Sequence, residues 1–262
     1  MTSNSISFDR AADYYDATRG FPPSVEREAA ALIAGAGGLT AATRVLELGI
    51  GTGRIALPMR PHTGPYFGID IATAMMGKLR EKQAAASSAA PIYLTQGDAT
   101  RLPFAANTFD AIIVVHVFHL IPQWQAALDE AGRVLRPGGV MLYGWNRARQ
   151  DQVLSKVWDD FIRMADKGRD GFREERADEI IGRGWTKHGD RRIHEFTTLR
   201  SPNDFLIGLK QRQWSHTWHI DDATHAAGVA AVEAHIAAHY DQPDKPRELP
   251  SSFNVQAFRP PQ

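Results

Sequence analysis

The sequence predicts an α/β fold with a doubly wound, mostly parallel sheet, and two observations carry this prediction. First, short apolar runs alternate with amphipathic stretches beyond residue 45, which is typical of successive β-α-β units. Second, the apolar run Val45–Leu48 passes directly into glycines at positions 49, 51 and 53 and then into a helix-forming segment. Right-handed crossovers then place helices on both faces of the sheet.

The individual elements follow from the same patterns. Apolar runs predict strands at 45–48, 66–69, 92–94, 111–115 and 140–144. Helices are predicted at 25–34, 75–86 and 124–135, and the last ends before Pro137-Gly138-Gly139, a turn that no helix passes through. A strand at 193–199, helices at 203–213 and 223–240, a polar connector at 243–250 and a closing strand at 252–258 complete the order.

The length of 262 residues and the 43% hydrophobic content suit one α/β domain with an elaboration. We therefore expect a single domain, 1–262. Its predicted parts are an N-terminal segment (1–24), a core that binds a ligand (25–146), an inserted helical cap (147–190) and a C-terminal part of the sheet with helices (191–262). The cap is predicted because charged and aromatic segments with scattered glycines follow Trp145.

Composition excludes several classes of function. The 30 basic and 30 acidic side chains cancel, so no overall field attracts nucleic acid, and a small-molecule substrate is favoured. The absence of cysteine excludes disulfides, thiolate metal sites and a cysteine nucleophile. No apolar run approaches the roughly 18 residues of a membrane span, and residues 1–5 lack the features of a secretory signal. We expect a cytoplasmic protein.

The glycine turn predicts a site for a small ligand. Glycine tolerates positive φ and lets a ligand approach bare backbone, while the helix that follows offers unpaired N–H groups to an anion. The Gly-Lys-Ser/Thr ending of a triphosphate site is missing. Gly51-x-Gly53-x-x-Ala56 also fits the dinucleotide fingerprint, with Asp70 at about the expected 20 residues. Two kinds of nucleoside cofactor therefore remain open at this point.

Acidic residues lie in or shortly after the first three predicted strands, towards the edge where doubly wound sheets bind ligands. A carboxylate at Asp70 suits the two hydroxyls of a ribose, and Asp98 suits an exocyclic adenine amine. Glu47 suits an ammonium group, since a carboxylate beside a pyrophosphate is repelled. Asp70 and Asp98 also suit the capping of a following helix, which does not exclude binding.

Several segments together carry a resemblance to a known family. They are Glu47-x-Gly49-x-Gly51-x-Gly53, Gly68-x-Asp70, Gly97-Asp98-Ala99 with Leu102-Pro103-Phe104, Phe109-Asp110-Ala111 and Arg136-Pro137-Gly138-Gly139. As a set they resemble class I S-adenosylmethionine-dependent methyltransferases, most closely the ubiquinone/menaquinone-methyltransferase-like (methyltransferase type 11) branch. The resemblance covers about 25–145. It implies seven strands in the order 3-2-1-4-5-7-6 with strand seven antiparallel, S-adenosylmethionine as cofactor and S-adenosylhomocysteine as product.

The resemblance also implies roles for single residues. Gly49 and Gly51 approach the methionine part of the cofactor, with Glu47 nearby and Gly53 completing the turn, and Asp70 holds the ribose. The predicted adenine contacts come from Ile71, Asp98, Ala99 and Leu102.

The segment Ala12-x-x-Tyr15-Asp16-x-x-Arg19 is similar to one that this branch folds over the cofactor, so 1–24 is expected to be a lid. By that likeness Arg19 faces the methionine carboxylate and Tyr15 the substrate.

His116 and His119 follow the fourth predicted strand and are candidate general bases or residues that line the cofactor or substrate. Methyl transfer from a sulfonium is an in-line displacement with an excellent leaving group, so proximity and alignment supply most of the catalysis. A base is needed only when the acceptor must lose a proton. Their spacing permits metal ligation, but no acidic partner stands nearby in sequence, and we expect no metal.

Two alternative functions remain from the sequence. One is a nicotinamide-dependent oxidoreductase built on the other glycine register, and the second is a noncatalytic module that binds S-adenosylmethionine and serves a protein or RNA partner. The acceptor, the methylated atom and the oligomeric state are not predicted, because loops rather than the sheet shape the acceptor pocket.

Overall fold

The computed structural model describes residues 5–22, 24–85, 90–148, 154, 156–158, 160 and 177–261. Its strands are β1 (Val45–Leu48), β2 (Tyr66–Asp70), β3 (Ile92–Gln96), β4 (Phe109–Val115), β5 (Leu135–Ala148), β6 (Thr186–Arg200) and β7 (Arg247–Arg259). They form one sheet in the order β3-β2-β1-β4-β5-β7-β6, with β7 antiparallel. The fold class, the strand order and the antiparallel closing strand are thereby confirmed.

The described residues contain eight α-helices, five of which the periodicity predicts. They are α1 (Tyr15–Arg19), α2 (Val25–Gly37), α3 (Ala56–Met59), α4 (Thr73–Ala85), α5 (Trp124–Val134), α6 (Ala177–Ile181), α7 (Pro202–Lys210) and α8 (Asp222–His239). The ends of the five helices predicted at 25–34, 75–86, 124–135, 203–213 and 223–240 shift by no more than three residues, and residue 86 lies outside the described residues. Within the described ranges, no helix combines the length and the apolar character needed to cross a bilayer.

Local chemistry explains where helices begin and end. At the start of α7 the Ser201 hydroxyl accepts from the Asp204 N–H at 3.0 Å, and the Asp204 carboxylate accepts from the Ser201 N–H at 2.7 Å. This reciprocal capping box satisfies two backbone donors. α2 ends at Gly38, whose φ of +60° is the left-handed conformation that stops a helix.

Parallel pairing brings the carboxyl ends of the central strands to one edge. Val45 pairs with Tyr66 on β2 and with Ala111 on β4, so β1 lies between the two. Every residue of β1 is buried, as expected for a parallel strand covered on both faces. The loops that follow Leu48 and Asp70 therefore emerge side by side.

β5 begins earlier than the predicted strand at 140–144. Leu135 pairs with Phe109 and Val140 pairs with Ala111, so residues 136–139 lie opposite a single residue of β4. Gly138 has a φ of +81°. The predicted turn at Pro137-Gly138-Gly139 is thus a bulge inside one strand, which keeps its pairing on both sides of the irregularity.

The two last strands correct the predicted boundaries. The strand predicted at 193–199 begins at Thr186, inside the residues predicted as helical cap, and the one predicted at 252–258 begins at Arg247, inside the predicted connector. β6 is exposed along most of its length and forms the edge of the sheet. These residues are held in the sheet by backbone pairing. Their side chains are mostly polar and do not show the alternation of apolar and polar residues from which a strand is predicted.

The chain divides into two compact units. The first contains the described residues of 1–146, 171–194 and 253–262, and the second those of 147–170 and 195–252. The core of the second unit consists of Leu154, Trp158, Leu206, Leu209, Val232, Ile236 and Tyr240. The division of the chain into lid, core, cap and C-terminal part stays a prediction, and most of 147–176 lies outside the described residues.

Candidate cofactor site

The turn after β1 keeps all three glycines at positive φ, +67° at Gly49, +55° at Gly51 and +80° at Gly53. A Cβ on Gly49 would lie 2.4 Å from Val117 Cγ2, and one on Gly53 would lie 2.4 Å from Leu79 Cδ1. At Gly51 the nearest atom would be 3.5 Å away. A side chain at the first or third position would therefore require Val117 or Leu79 to move, whereas at Gly51 a Cβ would make an ordinary van der Waals contact and only the positive φ favours glycine.

Asp70, the last residue of β2, joins the glycine turn to the start of α4. Its Oδ2 accepts from the Gly51 N–H and its Oδ1 from the Ala72 N–H, both at 2.8 Å. Burial raises the pKa of this carboxyl above its ordinary value, and the two N–H groups oppose that shift. Each carboxylate oxygen has a second lone pair. Asp70 therefore orders the loop before α4 but does not cap that helix, which begins at Thr73, and acceptor capacity remains for the hydroxyls of a ribose.

Glu47 is the only polar residue of β1 and is 3% exposed. Its Oε2 accepts from the Tyr66 hydroxyl at 2.7 Å, and Oε1 accepts no hydrogen bond from the described residues. Burial raises the pKa of Glu47 to about 8, while the Tyr66 hydrogen bond and the positive charge of Arg54 act in the opposite direction. Oε1 therefore has the capacity to accept from a donor outside the chain, and the predicted contact with an ammonium group stays a prediction.

The loops after β2 and β3 are joined to each other. The Gly97 N–H donates to the Asp70 carbonyl at 3.0 Å. One residue on, Asp98 Oδ1 accepts from both the N–H and the hydroxyl of Thr100, each at 2.9 Å. Asp98 therefore orders its own loop. Among the described residues no helix begins between β3 and β4, so the expected capping role is wrong, and the predicted contact with adenine stays a prediction.

The remaining residues predicted for adenine have apolar surroundings. Ala99 and Leu102 are buried in the core of the first unit, and Ile71 is half-buried. The Leu102 N–H donates to the Glu130 carboxylate at 2.7 Å, and the Arg133 guanidinium donates to the Leu102 carbonyl at 3.1 Å. This pair of α5 residues fixes the loop, and sequence reasoning missed it, although acidic and basic residues three apart on one helix are a usable signal.

His116 adopts a φ of +57° directly after β4. Such a conformation is strained for a residue other than glycine and is concentrated at functional sites. The Asn146 N–H donates to His116 Nε2 at 3.3 Å, so this nitrogen is an acceptor and the neutral ring carries its proton on Nδ1. Proton abstraction by Nε2 would require that bond to break. His119 is half-buried in the turn Phe118–Leu120. The catalytic roles of both histidines stay predictions.

The N-terminal segment 5–20 is tied to the glycine turn through Asp16. The hydroxyl of Thr52, a residue 1% exposed, donates to Asp16 Oδ1 at 2.6 Å. Lys82 pairs with Asp16 Oδ2 at 2.7 Å and donates to the Thr52 carbonyl at 3.0 Å. Sequence reasoning gave Asp16 no role, because its partners lie 36 and 66 residues away and nothing local signals them.

The other contacts of this segment reach the loop after β2. Asp9 Oδ1 accepts from the Ala74 N–H at 2.7 Å. Tyr15 meets Phe8 edge to face, with ring centroids 5.9 Å apart, and both pack against a small buried cluster that includes Ala72. Tyr15 therefore lies beside the loop that follows Asp70. The side chain of Arg19 lies outside the described residues, so its predicted contact with the methionine carboxylate stays a prediction.

These contacts predict that Asp16 slows the release of a bound ligand. Asp16→Ala leaves the buried Thr52 hydroxyl without its acceptor, at a cost of about 1 kcal/mol. We expect the rate of S-adenosylhomocysteine dissociation, measured by stopped-flow fluorescence, to rise about fivefold. Asp13→Ala is the matched control, because Asp13 pairs with Lys78 from a position that is 89% exposed. Equal release rates in the two variants would show that the segment does not retain the ligand.

Comparison with known proteins finds methyltransferases among the relatives of this chain. The methyltransferase domain family matches residues 46–143. The fatty-acid O-methyltransferase of Mycolicibacterium smegmatis is 34% identical, over 58% of this chain and 62% of its own length. The phosphatidylethanolamine N-methyltransferase of Cereibacter sphaeroides is 32% identical over 58% and 72%, and the demethylmenaquinone methyltransferase of Staphylococcus aureus is 32% identical over 40% and 44%. The chain thus spans less than two thirds of the first and third relatives.

Solved structures support the fold. The YcgJ protein of Bacillus subtilis superimposes with a TM-score of 0.59 at 17% identity, over 90% of this chain and 99% of that one. At this identity the likeness concerns the fold alone. The sequence relatives show the family as well as the fold, because the Cereibacter enzyme is 32% identical and is matched over 72% of its length. The chain belongs to the class I S-adenosylmethionine-dependent methyltransferases, in the branch that includes the demethylmenaquinone enzymes.

Proposed function

We propose that the protein transfers a methyl group from S-adenosylmethionine to a small-molecule acceptor by in-line displacement, and that a fatty-acid-like carboxylate is the first candidate acceptor. The observation that carries the cofactor part is the edge formed by Glu47, Gly51 and Asp70. There, a glycine turn with positive φ at each glycine lies beside two carboxyl groups that have unused acceptor capacity.

The order of these groups supports a cofactor that lies across the strands. Glu47 belongs to β1, Asp70 ends β2 and Asp98 follows β3. The three carboxyl groups therefore follow one another across neighbouring strands in the same order as the ammonium, ribose and adenine follow one another along the cofactor. The methionine end then lies at β1, beside the glycine turn.

The acceptor proposal rests on proton chemistry. A carboxylate is ionised at neutral pH, so it attacks the methyl group without losing a proton to a base. An alcohol or phenol acceptor needs such a base, and the Nε2 of His116 already accepts a backbone hydrogen bond. The name of the Mycolicibacterium relative agrees with a fatty-acid acceptor, whereas that of the Cereibacter relative favours an amine.

A transfer assay with methyl-labelled S-adenosylmethionine tests the proposal. Parallel reactions contain a long-chain fatty acid, phosphatidylethanolamine or demethylmenaquinone, and we expect label in the fatty acid alone, with Asp70→Ala as the variant that loses it. Label in phosphatidylethanolamine or demethylmenaquinone would show that the acceptor is not a fatty acid, while the proposed methyl transfer would still hold.

Two other results would overturn the reaction itself. Binding of the cofactor without transfer to any acceptor would favour the noncatalytic module. Thermal stabilisation by a nicotinamide cofactor instead of S-adenosylmethionine would favour the oxidoreductase. A cytoplasmic location and the absence of a nucleic-acid partner remain predictions from composition.

A further inference from the structure

Tyr66 contacts the candidate site through Glu47 and has no part in the reaction described so far. It is 2% exposed, it begins β2, and its hydroxyl donates to Glu47 Oε2 at 2.7 Å. This is the only hydrogen bond that the described residues make with the Glu47 carboxyl. A phenol and a carboxyl are thus buried together in a stretch of sheet where the neighbours Val45, Leu46 and Leu48 are all apolar.

Packing alone does not require this pair. A buried polar group costs free energy unless it is fully hydrogen-bonded, and Glu47 Oε1 accepts nothing from the described residues. An apolar residue at each position would fill the same space without that cost. The second oxygen therefore has capacity for a hydrogen-bond donor that arrives from outside the chain.

The groups that face Glu47 determine which of the two side chains holds a proton. Burial raises the pKa of Glu47 to about 8, with Asp70 acting in the same direction and Tyr66 and Arg54 opposing it. Burial and the neighbouring Glu47 raise the pKa of Tyr66 well above its ordinary value. Tyr66 therefore keeps its proton and remains the donor, and Glu47 is the group whose proton is exchanged near neutral pH.

We propose that Tyr66 is a positioning residue for the cofactor: its hydroxyl fixes the Glu47 carboxyl with Oε1 available to the methionine ammonium, and ligand binding there displaces a proton from Glu47 to solvent. In this step the neutral Glu47 carboxyl loses one proton to solvent, and the resulting carboxylate forms an ion pair with the ligand's ammonium group. This inference rests on the proposed cofactor site and adds a group that the site depends on.

The proposal fixes the direction of the pH dependence. Below the pKa of about 8, Glu47 must lose a proton before it pairs with the ammonium, so binding weakens as the pH falls, by up to about tenfold per pH unit. Because the Tyr66 hydrogen bond lowers the pKa of Glu47, Tyr66→Phe moves the inflection to higher pH. Glu47→Gln has no proton to lose at this position, so the inflection that belongs to Glu47 is absent from its profile.

The experiment is isothermal titration of S-adenosylhomocysteine into the full chain between pH 6 and pH 9, in buffers of different ionisation enthalpy. This ligand carries the same ammonium and does not react. We expect the wild-type protein to release about one proton per ligand at pH 7. Tyr66→Phe should bind about tenfold more weakly at pH 7 and approach the wild type at high pH. The pKa of the free ligand's amine is the same in every titration, so the variants are compared by the position of the inflection near pH 8.

The outcomes separate this inference from the function on which it rests. A wild-type protein that binds neither the homocysteine product nor the cofactor overturns both. Tight wild-type binding without proton release at pH 7 overturns the inference alone, and it does so even if Tyr66→Phe fails to fold. A Tyr66→Phe variant whose dissociation constant rises by the same factor at every pH also overturns it, since a merely structural role shifts affinity without moving the inflection.

Discussion

Replacing Asp70 with alanine is expected to raise the dissociation constant for S-adenosylmethionine at least about tenfold, and nearer to 100-fold if two charge-assisted hydrogen bonds of about 1.5 kcal/mol each are lost. The carboxylate accepts from the Gly51 and Ala72 N–H groups and is left with one lone pair on each oxygen for the ribose hydroxyls. Asp70→Asn keeps one acceptor oxygen and should lose less. Calorimetry of cofactor binding measures both variants.

Asp110→Ala is the matched control for this prediction. Asp110 is also a half-buried carboxylate that accepts a backbone N–H, that of Arg44 at 2.8 Å, but it lies near the start of β4 rather than at a carboxyl end. We expect its loss to lower the free energy of unfolding and to leave cofactor affinity unchanged. If the Asp110 variant lost as much affinity as Asp70→Ala, general loosening of the sheet would explain both, and Asp70 would have no specific role.

Gly53→Ala is expected to lower the free energy of unfolding by about 3 kcal/mol. About 1 to 2 kcal/mol comes from placing a Cβ at a φ of +80°. About 1 to 2 kcal/mol more comes from the contact of that Cβ with Leu79 Cδ1, which would be 2.4 Å. Urea unfolding of the ligand-free protein measures the sum.

Gly138, in the bulge of β5, provides a control that separates the conformational cost of a Cβ at positive φ from the cost of its contact with Leu79. Gly138 has almost the same φ, +81°, but a Cβ there would meet nothing within 4 Å. Gly138→Ala should therefore lose only the conformational part, about 1 to 2 kcal/mol. Equal losses at the two positions would mean that Leu79 moves aside at no cost, and that the turn does not need glycine at position 53 for packing.

Much of the fold follows from local sequence. β1 begins and ends at the predicted residues because an apolar run stops at a glycine turn, and both signals lie within ten residues. The strand order does not follow from such signals, since it depends on pairings between distant segments, and only the resemblance to a family supplied it. The early starts of β6 and β7 were missed because Thr186 and Arg247 begin polar, exposed stretches.

The candidate site also contains residues that local sequence predicts and residues that it does not. A carboxylate at Asp70 was predictable because acids after parallel strands face the binding edge. Tyr66 was not, since a tyrosine in an apolar strand is typical of core packing, and its hydrogen bond joins residues 19 positions apart. The remaining signal was Glu47 itself: an acid inside a wholly buried strand needs a partner, and a hydroxyl on the adjacent strand is the nearest source.

The hydrogen bond from Gly51 to Asp70 gives the empty and occupied protein different spectroscopic signatures. When the cofactor binds, the Asp70 carboxylate that accepts from the Gly51 N–H is expected to accept from the ribose hydroxyls as well, which weakens its hydrogen bond to Gly51. The Gly51 amide resonance should therefore shift on titration, and its exchange with deuterium should slow as the turn becomes rigid. A single backbone proton then reports occupancy without any label on the ligand.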